Sequence, residues 1–452
     1  MHINFTILNK NAVFLEFIGK QITHFAINSK DVPKTDNSYE YLRKDGIIDL
    51  PKDFIEIGNN ALTIDFTNNY YNDGNGFHSY TDIDGKQYIY SQGEPHWFNR
   101  LAPAFDQPDL KGTFELSATT PEDWIIITNQ KASSKEMEPN NNDTLWKFPP
   151  TEVLSTYLYT VIVGPYKEIV CPSEKLYNNI TMSLYCRDTL YQFAEKQQID
   201  IFEFTSDSIR RYEELFRVKY PFSKSDTIFC PEYTVGAMEN PGAITYTEHL
   251  LYKKEPSIKD ITVRAMVINH ELAHMWFGNM VTMKWWDDLW LNESFADFVC
   301  YLVLHDQLGN MSFEIGNGLI YGNLRKSMGY KEDQMSTTHP IANEAVDINQ
   351  AWSNFDRITY AKGASTMRQL LFLIGRDNFS KSMEIYFNKF AYKNTELKDL
   401  LDIFREVVGQ TDKLEEHLDF DQWKADWLKT AGLNEVTIKW DPKNTEKNAK
   451  MT

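Results

Sequence analysis

Cysteine is nearly absent from this chain. Four occur in 452 residues, Cys171, Cys186, Cys230 and Cys300, scattered and never spaced as Cys-x-x-Cys. A disulfide framework is excluded as an organising device, and a reducing compartment, the cytoplasm, is expected. Positive charge is in deficit: 46 Lys and Arg stand against 64 Asp and Glu, a net charge of -18. Nucleic acid, whose phosphates demand a basic face, is excluded as a partner. Long apolar runs are missing too. No stretch of about eighteen apolar residues exists to span a bilayer. Met1–Lys10 lacks the basic start and apolar core of a secretory leader. Internal repeats and low-complexity tracts are absent. What remains is 42% hydrophobic and 14% aromatic, enough for sizeable cores, in a length that suggests two or three domains.

Residues 1–188 read as strands. Phe14–Ile18, Ala61–Phe66, Tyr88–Tyr90, Gly112–Ser117, Trp124–Thr128 and Tyr157–Val163 are short and rich in β-formers, separated by Asn/Asp/Gly clusters. Ser133–Asp143, polar and Asn-rich, reads as an exposed hairpin loop. The character changes near Asp188. Leu190–Phe216 has helical spacing, and Pro221–Tyr246 reads as short strands with turns. Ser257 and Asp260 form a capping signal for a helix running toward Gly278. Asn292–Leu308 is a second helix ended by Gly309, and helical patterns run from Ala364 to about Ala431. Val436–Trp440 returns to strand. Three units are expected: 1–188, 189–433 and the start of another at 434–452.

The chemistry concentrates at His270-Glu271-Leu272-Ala273-His274, followed eighteen residues later by Glu293. Two histidines four apart project from one helix face, one turn apart. Both imidazoles can therefore reach one metal ion, with the intervening Glu271 placed to handle a proton. Glu293, from a second helix, supplies a third ligand and leaves one position open, as a catalytic zinc requires. Such a site suits amide hydrolysis. Gly236-Ala237-Met238-Glu239-Asn240 begins with residues small enough for backbone to lie against a peptide. Glu239 there is either an ordinary loop carboxylate or a partner for a substrate ammonium. Tyr360, one of 24 tyrosines, has nothing in its spacing to separate it from a packing residue.

These segments together resemble the aminopeptidase N family of zinc metallopeptidases, the gluzincin group. The likeness is spread over roughly residues 10–435. It includes Tyr90-Ser-Gln-Gly-Glu94-Pro, Ala104–Phe114, Val163-Gly-Pro-Tyr166, the Gly236–Asn240 motif, and His270–His274. It continues through Trp285-Trp-Asp-Asp-Leu-Trp-Leu-Asn-Glu293, Thr338-His-Pro340 and Tyr360-Ala-Lys-Gly363. The resemblance implies an α+β multidomain fold: a β-rich, saddle-like N-terminal domain packed against a thermolysin-like, mostly α catalytic domain. The site would lie between them, with Glu94 reaching in from the first. It implies one Zn2+ per chain on His270, His274 and Glu293, with Glu271 as general base and Tyr360 as oxyanion donor. Glu94 and Glu239 would hold the N-terminal amine of a peptide substrate, and Gly236, Ala237, Met238 and Asn240 would complete the substrate site. Asp297, one turn after Glu293, either supports the metal site or is a surface charge. Lys362 and Gly363 shape the loop bearing Tyr360, His339 shapes the pocket wall, and Val235 lines the first side-chain pocket. Strands before Met1 and domains beyond Thr452 are expected to complete such a protein.

The function implied is zinc-dependent removal of N-terminal residues from peptides. A non-catalytic peptide-binding fragment and an epoxide hydrolase are the competing classes. Zinc content without turnover favours the first of these, and opening of a lipid epoxide the second.

Overall fold

Period-two burial builds the first layer. In Gly58–Thr67 the side chains of Asn60, Leu62 and Ile64 turn inward while their neighbours face outward or lie half-buried. This strand pairs antiparallel with His2–Ile7 on one side and Gln21–Ile27 on the other. Leu15, Phe25, Ile27, Ile48, Leu62 and Ile64 close a core that is separate from the main one. The computed structural model describes residues 1–10, 13–34, 46–138, 142–308, 321–410 and 418–435. Leu62 is fully buried between Ile3 and Ile27 on adjacent strands. Leu62→Ala is expected to destabilise this layer by about 2–5 kcal/mol, read from the midpoint of urea unfolding.

A second sheet places Gln87–Gln92 between Gly76–Thr81 and Val161–Gly164, with Ile125–Thr128 outside the latter. Three differences from the expected strands appear here. Ser134–Met137 is a strand paired with Asp143–Phe148, so the polar segment is half hairpin arm. The run expected from Gly112 becomes strand only at Leu116. Tyr157–Val163 is divided: Thr156–Leu158 is a tight helical turn, and the strand begins at Val161. Tyr157 and Leu158 are buried in the main core, and a turn reaches it where a straight strand would not.

The next sheet runs in the order Lys167–Val170, Ser183–Cys186, Asp226–Cys230, Ala243–Thr247, Ala237–Met238. Its first two strands precede Asp188 and its last three follow it. The division drawn at 188 therefore falls inside one hydrogen-bonded sheet. Ala237–Met238 is the outer strand, antiparallel to Thr245 and Tyr246.

Three helices carry the rest of the site. Helix α1 spans Tyr191–Phe216, α2 Ile258–Ala273 and α3 Trp290–Leu308. The capping box at Ser257 and Asp260 is formed: each side chain accepts from the other residue's backbone N–H. Every side chain of α3 from Trp290 to Cys300 is buried, the mark of a central helix. Helices Gly363–Ile374, Arg376–Phe390, Leu397–Gly409 and Phe420–Trp427 pack beyond it. Arg187 ties the two halves together. Its guanidinium donates to Asp82 at 2.6 Å and to both oxygens of Glu248 at 2.6 and 2.7 Å. The strand expected from Val436 lies outside the described residues, as does Gly309. The architecture is thus a β-rich N-terminal region followed by a mostly helical region.

Candidate active site

Helix α2 ends by hydrogen bonding at Ala273, earlier than Gly278, and His274 is its cap residue. His274 still has helical backbone angles, so it projects from the same face as His270. Its Nδ1 lies 3.0 Å from the Phe277 carbonyl, which can only accept, so Nδ1 carries a proton and Nε2 is the nitrogen left facing the triad. The two Nε2 atoms are 3.0 Å apart. Oε2 of Glu293 lies 3.3 Å from Nε2 of His270 and 3.5 Å from Nε2 of His274, buried and without a well-formed hydrogen bond. Four-coordinate zinc with ligands about 2.0–2.1 Å away separates its donor atoms by about 3.3–3.4 Å. The three distances bracket that value, so the donor set fits the ion.

The closeness of these groups sets their electrostatics. Burial pushes the Glu293 carboxyl up, but the His274 and His270 rings overcome it and hold it well below the usual carboxylate range. Burial drives His270 down and outweighs its contact with Glu293. For His274 burial also works downward, but Glu239 and Glu293 carry the ring well above the usual range.

Glu271 is buried beside this triad. Burial raises its carboxyl well above the usual range, against the pull of His274 and with the push of Glu239 and Glu293. Glu94 follows the strand Gln87–Gln92, and Glu239 follows the outer strand Ala237–Met238. Oxygens of Glu94, Glu239 and Glu293 lie within 4.8 Å of one another. Oε1 of Glu94 and Oε1 of Glu239 are buried without hydrogen-bond partners. Burial, then the charges of Glu239 and Glu293, push Glu94 well up; burial also raises Glu239. Carboxylates crowded this way call for a cation.

All of these face one cavity of about 720 Å³. Val235, Gly236, Ala237 and Glu239 line it, whereas Met238 and Asn240 do not. Met238 lies on the opposite face of its short strand from Ala237. The Met238 sulfur accepts from Gln92 at 3.4 Å behind the wall, and the Asn240 amide donates to Thr245 at 3.1 Å.

Tyr360 sits in a wide, π-helical turn, Ile358–Lys362, a form frequent at functional sites. Its ring stacks on His270 at 6.0 Å. Burial, then Glu293 and Glu94, raise its phenol well above the usual range. Gly363 follows with a specific need: a Cβ there would lie 2.0 Å from Oγ of Ser294. Lys362 donates to Asp333 at 2.9 Å. Asp297 is no surface charge. It is buried, accepts from Nε of Arg325 at 2.7 Å, and lies 3.9 Å from Nδ1 of His270. Arg325, Trp352, Phe355 and Asp356 also line the cavity and escaped the sequence reading. They come from segments whose spacing carries no link to α2 or α3.

Comparison with known proteins agrees with this geometry. Residues 2–158 match the peptidase M1 N-terminal domain, and residues 201–423 match the peptidase family M1 domain. The aminopeptidase N of Streptomyces lividans is 38% identical over 381 residues, 83% of this chain and 42% of that protein. The leucyl aminopeptidase of Saccharolobus solfataricus is 34% identical over 352 residues, 77% of this chain and 42% of that protein. The probable aminopeptidase 1 of Sulfurisphaera tokodaii is 34% identical over 357 residues, 78% and 42% of the two chains. A metallopeptidase is the class defined by this fold and site, and the chain belongs to its aminopeptidase N family, peptidase family M1. The chain spans about two fifths of the length of these relatives. No helix among the described residues is long and apolar enough to cross a membrane.

Proposed function

We propose that the chain is a zinc aminopeptidase that removes the N-terminal residue of peptides. The observation that carries this reading is the pair of carboxylates Glu94 and Glu239, each with one buried oxygen that accepts no hydrogen bond, set beside the His270–His274–Glu293 triad. Carboxylates gathered in this way attract cations: a metal ion at the triad and a substrate ammonium at the pair.

His270, His274 and Glu293 would hold a zinc ion, which when bound makes water more acidic and polarises a carbonyl. Glu271 takes the proton of the attacking water and returns it to the leaving amine. Tyr360 donates its hydroxyl hydrogen toward the carbonyl oxygen as that oxygen gains charge. Glu94 and Glu239 clamp the α-ammonium and so place the first peptide bond at the triad. Gly236 and Ala237 offer sheet-edge backbone to the substrate. Four unpaired, buried thiols support a reducing compartment such as the cytoplasm.

The test compares an alanyl amide reporter with its N-acetylated form, for the chain and for Glu239→Gln. The free-amine substrate is expected to be cleaved at least about 10²-fold faster, since an uncharged end leaves both carboxylates unpaired. Glu239→Gln is expected to raise KM about tenfold or more. Equal cleavage of both substrates would sink the exopeptidase reading.

A further inference from the structure

His339, expected at the pocket wall, and Asp356, which lines the cavity, are joined to the turn that bears Tyr360. Nε2 of His339 is 2.9 Å from Oδ2 of Asp356, and Nδ1 is 2.7 Å from the Pro340 carbonyl. Both ring nitrogens face acceptors, so the ring donates from each side. Burial works against the charged ring, but Asp356 and the Pro340 carbonyl raise it above the usual histidine range. The other carboxylate oxygen of Asp356 accepts from the backbone N–H of Ile358 at 2.9 Å and of Thr359 at 3.0 Å. The Asp356 carbonyl accepts from the N–H of Tyr360 at 3.1 Å. One residue thus satisfies three successive N–H groups at the start of the wide turn, and His339 fixes its side chain.

The turn is held at its other side too. Oγ of Ser294 donates to the Thr359 carbonyl at 2.6 Å, and Ser294 directly follows Glu293 on α3. Lys362 and Thr338 both donate to Asp333, at 2.9 and 2.7 Å. The segments 333–339 and 356–363 are therefore stitched twice, once on each flank of Tyr360. A wide turn is less regular than an α-helix and does not hold a side chain in place by itself.

We infer that His339 and Asp356 are positioning residues for Tyr360, clamping the first half of its turn so that the phenol stays at the rim of the metal triad. Neither is assigned contact with substrate. The inference rests on the proposed role of Tyr360, and the experiment separates the two.

The full chain is compared with Tyr360→Phe, His339→Ala, His339→Gln, Asp356→Asn and the double variant of His339→Ala with Tyr360→Phe, each with its melting temperature. His339→Ala is expected to lower kcat about ten- to a hundredfold with KM within about twofold, the size of effect that a misplaced group produces. His339→Gln keeps a donor toward Asp356 and is expected to recover much of that rate. Asp356→Asn should give the His339→Ala pattern. On the Tyr360→Phe background, His339→Ala should change kcat by less than about twofold, because the group it positions is gone. Tyrosine labelled with ¹³C at Cζ gives a readout free of turnover. The resonance lost in Tyr360→Phe should shift in His339→Ala and return in His339→Gln. Wild-type kcat in His339→Ala, or the same fold loss on both backgrounds, overturns the inference alone. Wild-type kcat in Tyr360→Phe overturns the role of Tyr360 and the inference with it.

Discussion

Glu271→Gln is expected to remove turnover and to leave metal binding in place. The substitution keeps volume and shape inside a buried site, and Glu271 is not one of the three converging donors. Zinc content, measured by elemental analysis, should stay at one per chain. The rate should fall by about 10²–10⁴-fold, the range general acid–base groups contribute. Hydrolysis of an alanyl or leucyl amide reporter reads the loss directly. An amide has no lone pair basic enough to take a proton from water, so no pH change within the folded range should rescue the variant. Retained turnover within tenfold of the parent would move the proton transfer to another group.

His274→Ala should fail at an earlier step. The ring contributes the Nε2 that sits 3.0 Å from its partner ring and 3.5 Å from Glu293. Its other nitrogen is tied to the Phe277 carbonyl at 3.0 Å, so the ring is already oriented before an ion arrives. Removing it leaves two donors, and Oε1 of Glu239 loses the ring 3.9 Å away. Metal affinity should drop by at least about 10²-fold, more than loss of a supporting partner produces. Dialysis against zinc-buffered solution followed by metal analysis measures this. Stoichiometric zinc in the variant would show that the triad is not the binding site. The two variants therefore separate proton transfer from metal retention.

Much of this site was legible because its signals are local. His270, Glu271 and His274 share one helical turn, and the Ser257–Asp260 box marks where that helix begins. Glu293 and Asp297, four apart, are the charged residues in a helix otherwise uncharged through Cys300, and burying charge there needs a reason. Glu94 was different. It lies far from Glu239 and Glu293 in sequence, and only the family resemblance linked them. Arg325 and Asp356 were missed for the same cause: their partners are fixed by tertiary packing. Gly236, Ala237 and Glu239 line the cavity while Met238 and Asn240 do not, a division within one motif that the sequence does not display. Tyr157 was read as strand because β-forming side chains say nothing of a turn that packing imposes.

The outer strand Ala237–Met238 has one open flank, and it is only two residues long. Recognition through main-chain atoms ignores the identity of side chains, so on the proposed reading the enzyme would be tolerant of sequence along the peptide. A grip this brief takes no hold on the distant part of a chain. After each cleavage the shortened peptide would have to be registered afresh, its new end against Glu94 and Glu239. Digestion would then be distributive, with intermediates of every length free in solution between one trimming and the next.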